Sequence, residues 1–305
     1  MNLKRLLRST AAVAIGAIVL YFVVRTLRAS AGELRGYRFT FDYWHVVASF
    51  AVLSASSLSL PWAWKVICGL FGVQLRYVDS LQIQFLSYIT RLVPGRVLTL
   101  LSQVAVAKEK QIPPLISVAT AVIFQVSGTI VGVEIFLVSV VLWPGVDGAV
   151  KVGCAVICCV LFVLSLWSGA IEAVVAAIMK RIKGQAVAFR MSRKNALAIH
   201  AILLASWVVY FFALHLLLNS FGEFTFAQSG IITGTQAASA LIGNYTFISP
   251  GGLGVREGTQ MALLGRHVMP SLAVLIPIVL RVWMTLGDIM LFLVGVIVRR
   301  RMASR

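Results

Sequence analysis

The sequence predicts an all-α polytopic membrane protein: six spanning helices plus two re-entrant half-helix hairpins arranged as inverted repeats. Three observations carry this prediction. Apolar runs long enough to cross a bilayer recur along the chain, two further apolar segments are interrupted at Pro-Gly, and basic residues gather at the ends of spans. Of 305 residues, 60% are apolar and 12% charged, against about 45–50% and about 25% in soluble domains. That balance leaves no stretch for a sizeable water-soluble core and excludes a disordered chain. One membrane domain, 1–305, is expected.

A helix needs about 20 residues to cross about 30 Å of hydrocarbon. Six uninterrupted segments qualify: 10–24, 44–65, 115–142, 149–168, 196–220 and 271–298. The first follows Lys4, Arg5 and Arg8 and reaches Arg25 with no small-x-small cleavage site, so it is expected to be a retained helix and not a removed signal. Tyr43, Trp44, Trp62, Trp64, Trp143 and Trp167 sit near segment ends, where amphipathic rings meet the headgroups. The segment 171–190 mixes apolar residues with Lys180, Arg181 and Lys183; it either extends a helix or lies on the membrane surface.

Two segments are apolar but broken: 81–101 at Leu92-Val93-Pro94-Gly95-Arg96, and 227–264 at Ser249-Pro250-Gly251-Gly252-Leu253-Gly254. Proline removes a backbone donor and glycine lets the chain reverse, so each reads as two half-helices joined by a turn. Such a break is tolerated within a membrane only where protein or a water-filled cavity solvates the freed backbone groups. If both broken segments are re-entrant, the N-terminus, Lys108–Lys110, the stretch from Lys180 to Lys194 and the basic C-terminus all fall on one side, which the positive-inside rule makes the cytoplasm. Treating each as a full crossing scatters these charges over both sides. The residues expected outside include Arg25, Arg28, Arg35 and Arg38, offset only by Glu33 and Asp42.

The broken segments also resemble each other, each with a tyrosine shortly before its Pro-Gly (Tyr88, Tyr245) and a later proline at nearly equal distance (Pro113, Pro270). This predicts repeat 1 over 44–142 with its hairpin at 81–101, a connecting helix 149–168, and repeat 2 over 196–298 with its hairpin at 227–264. A single connecting helix inverts the second repeat. Paired Pro/Gly-broken segments in inverted repeats point to a transporter site near the midplane.

Charge at membrane depth costs about 2.5–3.5 kcal/mol on insertion scales, so buried ionisable groups face a cavity or a partner. Arg91 and Arg96 flank the first break; Arg256 and Glu257 follow the second. Arginines beside half-helix N-termini suit an anion, above all a phosphate gripped by a planar fork. The competing reading is structural: Glu257 pairs Arg256 and the arginines tie turn carbonyls together. Arg281 and Asp288 lie seven residues apart, too far for a direct pair and on one face, so each is expected to find a partner elsewhere or to line water. Glu134, deep in an apolar helix, is a candidate for proton coupling or for a neutral structural role, and Asp288 for coupling or an interfacial one. Pro94, Gly95, Pro250, Gly251, Gly252 and Gly254 are assigned to the turns.

Other chemistry is thinly supported. The 27 basic against 10 acidic residues, net +17, come with no nucleic-acid motif, and the charge fits anionic headgroups better. Cys68, Cys154, Cys158 and Cys159 show no metal spacing and read as small apolar packing residues. His200 and His215 are not at zinc-ligand spacing and read as core or interfacial. With no P-loop, H-E-x-x-H or G-x-S-x-G, neither a cofactor, a metal nor enzymatic activity is expected.

The stretch from Ile248 to Gly258, with Ser249-Pro250-Gly251-Gly252-Leu253-Gly254-Val255-Arg256-Glu257, resembles the signature of the lysylphosphatidylglycerol synthase transmembrane family of flippase-like proteins. Pro94-Gly95-Arg96 is similar to that family's earlier motif, and Arg281-Val282-Trp283 stands where the family often carries an arginine. The resemblance covers nearly the whole chain. It departs where Leu98-Thr99 replaces the family's Gly-Glu and where Phe124-Gln125 stands near its usual Glu-Arg. It implies movement of an anionic, phosphate-bearing lipid, a phospholipid or a polyprenyl-phosphate-linked one, across a bacterial-type inner membrane, both termini cytoplasmic. Lipid-synthesising members carry a soluble aminoacyltransferase domain not seen in these residues, so only the transport half is expected. Membrane lipids with anionic headgroups are the expected partners, with lipid-modifying enzymes as further ones. The rival functions are an intramembrane enzyme acting on lipid-linked substrates and a scaffold for a lipid-modifying complex.

Overall fold

The structure, a computed structural model, describes residues 42–92, 96–183, 189–245 and 254–303. The predicted first span, 10–24, lies outside these residues, as do Pro94, Gly95, Pro250, Gly251 and Gly252. Every regular element among the described residues is helical: α1 (Tyr43–Gly69), α2 (Tyr77–Tyr88) with a 3-10 turn (Ile89–Leu92), α3 (Arg96–Glu109), α4 (Pro114–Val141), α5 (Gly148–Leu166), α6 (Ser168–Lys183), α7 (Arg193–Asn219), α8 (Phe226–Tyr245), α9 (Val255–Leu264) and α10 (Pro270–Ala303). Five of these, α1, α4, α5, α7 and α10, are long and apolar enough to cross a membrane. They correspond to five of the six predicted spans, and the chain is a multi-pass membrane protein.

Helix starts follow local chemistry. Asp42 accepts from the Trp44 and His45 amides at the head of α1, Asp147 from Ala149 at α5, and Ser192 from Asn195 at α7. Ahead of α8, Thr225 and Gln228 satisfy each other's backbone amides in a reciprocal capping box.

At the centre α1 and α7 run antiparallel. Asp42 N–H donates to the Ser220 carbonyl at one end, and Ser56 Oγ donates to the Ser206 carbonyl at 2.7 Å midway. Ser49, Ser56 and Ala63 are buried at seven-residue spacing in α1, a stripe of small side chains that lets backbones approach closely. By contrast, only 6% of the α5 span is buried inside the protein, and Val152, Val156, Val160 and Val163 stand exposed. An outer face this apolar and this exposed is one that lipid covers.

The first limb of the first broken segment is enclosed, unlike the outer face of α5. Every residue of α2 from Asp79 to Tyr88 is buried, including Ser80, Gln82, Gln84 and Ser87. Its partner α3 is antiparallel to it, since Thr90 Oγ1 lies 3.2 Å from Thr99 Oγ1 and Gln103 reaches Gln84 at 3.5 Å. Lys110, just past α3, meets Asp79 in the first turn of α2 at 3.2 Å, so this unit begins and ends at the same end of the bundle. Arg76 also binds Asp79, at 2.9 Å, and Arg299 near the end of α10 pairs with Glu109 at 3.1 Å. Burial works to raise the Asp79 pKa, but hydrogen bonds from Arg76 and Lys110 outweigh it and hold the carboxyl below its ordinary value.

The second unit is seated from the opposite end. Phe226 at the head of α8 stacks on His215, at 4.2 Å between ring centroids, and Leu264 at the foot of α9 joins Phe221 and Phe224 in one apolar cluster. The second unit keeps the predicted bounds to within one residue, whereas the first runs from Tyr77 to Glu109, beyond the predicted 81–101, because buried polar residues such as Gln103 continue its helices past the apolar run.

The segment after α5 forms its own helix. At Trp167 the backbone leaves helical geometry (φ −82, ψ 89), and α6 then buries Ile171, Val175 and Met179 at four-residue intervals against the α1–α4–α7 core. Lys180 and Arg181 remain exposed. The alternation of a buried apolar stripe with a basic outer face is that of a surface helix.

Candidate functional site

The tips of the two units converge on the middle of α10. From the first, the 3-10 turn after α2 presents Arg91, whose Nη1 donates to Asp288 Oδ1 at 3.1 Å. Its guanidinium also lies 3.7 Å from the ring centroid of the fully buried Tyr88, a cation–π contact worth about 0.5–2 kcal/mol.

From the second, Gly254 opens α9 at φ +79, a conformation that L side chains rarely adopt, which is why glycine stands there. Its amide donates to Glu257 Oε2 at 2.7 Å, so the carboxylate caps its own helix. Glu257 Oε1 faces Arg281 Nε of α10 at 3.7 Å, an ion pair beyond hydrogen-bond length. Arg256 donates through Nη2 to the Asn244 side-chain carbonyl near the end of α8, and its aliphatic stem crosses the bare backbone of Gly243.

Arg281 and Asp288 stand two helical turns apart, about 10 Å along α10. Both ion pairs are therefore anchored on this stretch of α10, with Arg256 next to Glu257 in the chain. Three guanidiniums and two carboxylates from three separate stretches of chain thus form one cluster. Both ion pairs are partly open: side-chain exposure is 39% and 20% for Arg91 and Asp288, and 27% and 18% for Arg281 and Glu257. Such an array can take an anion, since a planar fork can move from carboxylate to phosphate without loss of geometry.

The structure therefore brings together Arg91, Arg256, Glu257, Arg281 and Asp288 of the predicted set. Arg96 begins α3 directly after the first break. The structural alternative for Glu257 takes a different form from the expected one: Glu257 meets the Gly254 amide and Arg281, and Arg256 donates to Asn244. Arg281 and Asp288 each find a partner on another element. Glu134 stands apart from the cluster, in ion-pair contact with His200 at 3.1 Å; the pair's residues had no spacing signal to join them. Asn244, Tyr88 and Gly243 were missed as well. The Asn-Tyr ahead of the second break and the Tyr88–Arg91 spacing of nearly one turn were the available hints.

Among the described residues no three His, Cys, Asp or Glu side chains gather as a metal site. The family model described as the lysylphosphatidylglycerol synthase TM region matches residues 9–295. No curated protein matches the chain.

Proposed function

The chain belongs to the lysylphosphatidylglycerol synthase TM region family, and from that premise we propose that it moves an anionic, phosphate-bearing lipid across the inner membrane. The observation that carries the reading is the meeting of both broken segments at Arg281 and Asp288 in α10. A phosphate entering this cluster takes over guanidinium contacts now made by Glu257 and Asp288, while its tails stay in lipid.

The geometry supports inverted repeats with re-entrant hairpins: α2–α3 returns to the basic end of the bundle, α8–α9 returns to the opposite end, and the limb leading into each break, α2 and most of α8, is buried in protein. Arg76, Lys110 and Arg299 gather at one end, which the positive-inside rule assigns to the cytoplasm. Rocking one repeat against the other around the cluster supplies alternating access. Anionic membrane lipids are the partners this reading requires.

The test is reconstitution into proteoliposomes carrying a fluorescent phosphatidylglycerol, with native mass spectrometry for co-bound lipid. Translocation above protein-free vesicles, lost in Arg281→Ala, is expected. Wild-type protein that leaves the probe's distribution unchanged and carries no anionic lipid refutes the proposal.

A further inference from the structure

A second buried ionic site lies outside the arginine cluster. Glu134 of α4 and His200 of α7 are 4% and 5% exposed, with Glu134 Oε2 at 3.1 Å from His200 Nε2. The contact is off the hydrogen-bond line, and among the described residues Glu134 Oε1 has no hydrogen-bond partner either. A buried carboxylate left so poorly satisfied is costly, of order several kcal/mol. Between the pair and the start of α7 lies a cavity of about 10 Å³, lined by Ser127, Ser165, Met191, Ala196 and His200 among others. That is about the room one water needs, with polar side chains on its wall.

Among the described residues the surroundings are otherwise sparse in charge. From α5 comes the Phe162 ring, edge-on to His200 at 5.1 Å. Ser165 is already committed to the Phe162 carbonyl. From α6, Glu172 accepts the Met191 amide at 2.6 Å and faces the cavity's rim rather than the pair. Arg193 and the neighbouring Lys194 at the head of α7 are exposed.

We propose that Glu134 and His200 form a proton-binding site, coupled to movement of α4 against α7. In the packed state shown, one proton shared by carboxylate and imidazole leaves the pair neutral, which is what an apolar, protein-covered site favours. Release of that proton to water leaves a Glu134 carboxylate beside a neutral His200, a net charge of −1. This state becomes tolerable once water enters through the cavity, which requires α4, α5 and α7 to part. Uptake of a proton from water at the other stage reverses the change, so one proton is bound and one released per cycle and no other co-reactant is needed. Asp288, the other carboxylate considered for coupling, is held by Arg91 and belongs to the lipid cluster. The coupling to transport rests on the function proposed above; the proton site itself does not.

Two measurements separate the two. Difference infrared spectroscopy of the membrane-reconstituted protein, taken between acid and alkaline buffer, should show a carboxylic-acid C=O band that Glu134→Gln removes and His200→Gln displaces. Identical spectra for wild type and Glu134→Gln overturn the proton site. In proteoliposomes, a transmembrane pH gradient should accelerate fluorescent phosphatidylglycerol movement by wild type, and Glu134→Gln should fall to the gradient-free rate while retaining anionic lipid in native mass spectra. An unaltered gradient response in Glu134→Gln overturns the coupling. If wild type moves no lipid while the infrared band behaves as stated, the transport reading fails and the proton site stands. Should Glu134→Gln not fold, His200→Gln carries both readouts.

Discussion

Gly243 offers a direct test of how Arg256 is held. It is buried in α8, and a methyl group there would collide with the Arg256 side-chain stem. That stem is flexible enough to swing aside, but only by abandoning Asn244. A hydrogen bond from a charged donor is worth about 1.5–3 kcal/mol, whereas replacing glycine by alanine within a helix returns about 1 kcal/mol of propensity. Gly243→Ala should therefore cost about 0.5–2 kcal/mol of stability. Lipid binding should suffer more, because the misplaced guanidinium loses a charge-assisted contact equivalent to about 10-fold to 150-fold in affinity.

The assay is titration of detergent-solubilised protein with short-chain phosphatidylglycerol as a double-mutant cycle with Arg256→Ala. Gly243→Ala should weaken binding at least about tenfold in the native background and less than about twofold once Arg256 is gone, since contacting residues are non-additive. An equal loss in both backgrounds makes Gly243 a packing residue only and removes Arg256 from the lipid site. Gly128 of α4 is the control: nothing lies within 4 Å of a Cβ built there, so Gly128→Ala should leave binding unchanged.

Further outcomes follow from the same geometry. At position 256 translocation should fall in the order Arg256→Lys then Arg256→Ala, because lysine keeps the charge but not the planar fork, with Glu257→Gln milder than either; equal rates for all four proteins would remove the phosphate assignment. Single cysteines at Glu223 should label from outside and at Lys108 only from the cytoplasm, and external labelling at Lys108 would break the re-entrant reading of α2–α3. The Asp79 carboxyl is held below its ordinary value in the folded protein, so its stabilising contribution is full above the unfolded carboxylate range and is lost as pH falls through the lowered native value. Thermal unfolding of wild type against Asp79→Asn should accordingly differ at neutral pH and converge in acid, and a difference that persists unchanged in acid contradicts the Arg76–Asp79–Lys110 account.

Spans were legible because run length alone decides whether a helix can cross hydrocarbon: α1, α4, α5, α7 and α10 fall within a few residues of expectation. Whether the segment after α5 extends that helix or forms its own was not, since apolar residues continue past Trp167 and only the backbone bend separates α6 from it. Charged partners were half legible. Seven-residue spacing forbids an Arg281–Asp288 pair within α10, but which distant residue answers each is set by where the two turns reach, and that depends on packing. His200 was read as a core residue because its partner sits on another helix, and a single buried histidine carries no periodic signal. Arg91 finds its carboxylate on α10, at Asp288, and Thr99 meets Thr90 across the first break.

The two ionic sites are built for different tasks, and exposure separates them. Partly exposed ion pairs contribute about 0–1 kcal/mol, so Arg91–Asp288 and Arg281–Glu257 are inexpensive to open when a phosphate offers equivalent hydrogen bonds. Breaking a buried pair by leaving one partner uncompensated costs about 3–5 kcal/mol, and Glu134–His200 is in that class at 6% and 5% side-chain exposure. An anionic ligand can therefore exchange into the cluster on α10 without unpacking the bundle. At Glu134 and His200 a change of charge demands that helices separate and water arrive. A site that changes charge only when the helices move can drive or sense that movement; a site that exchanges partners freely can hold and release cargo.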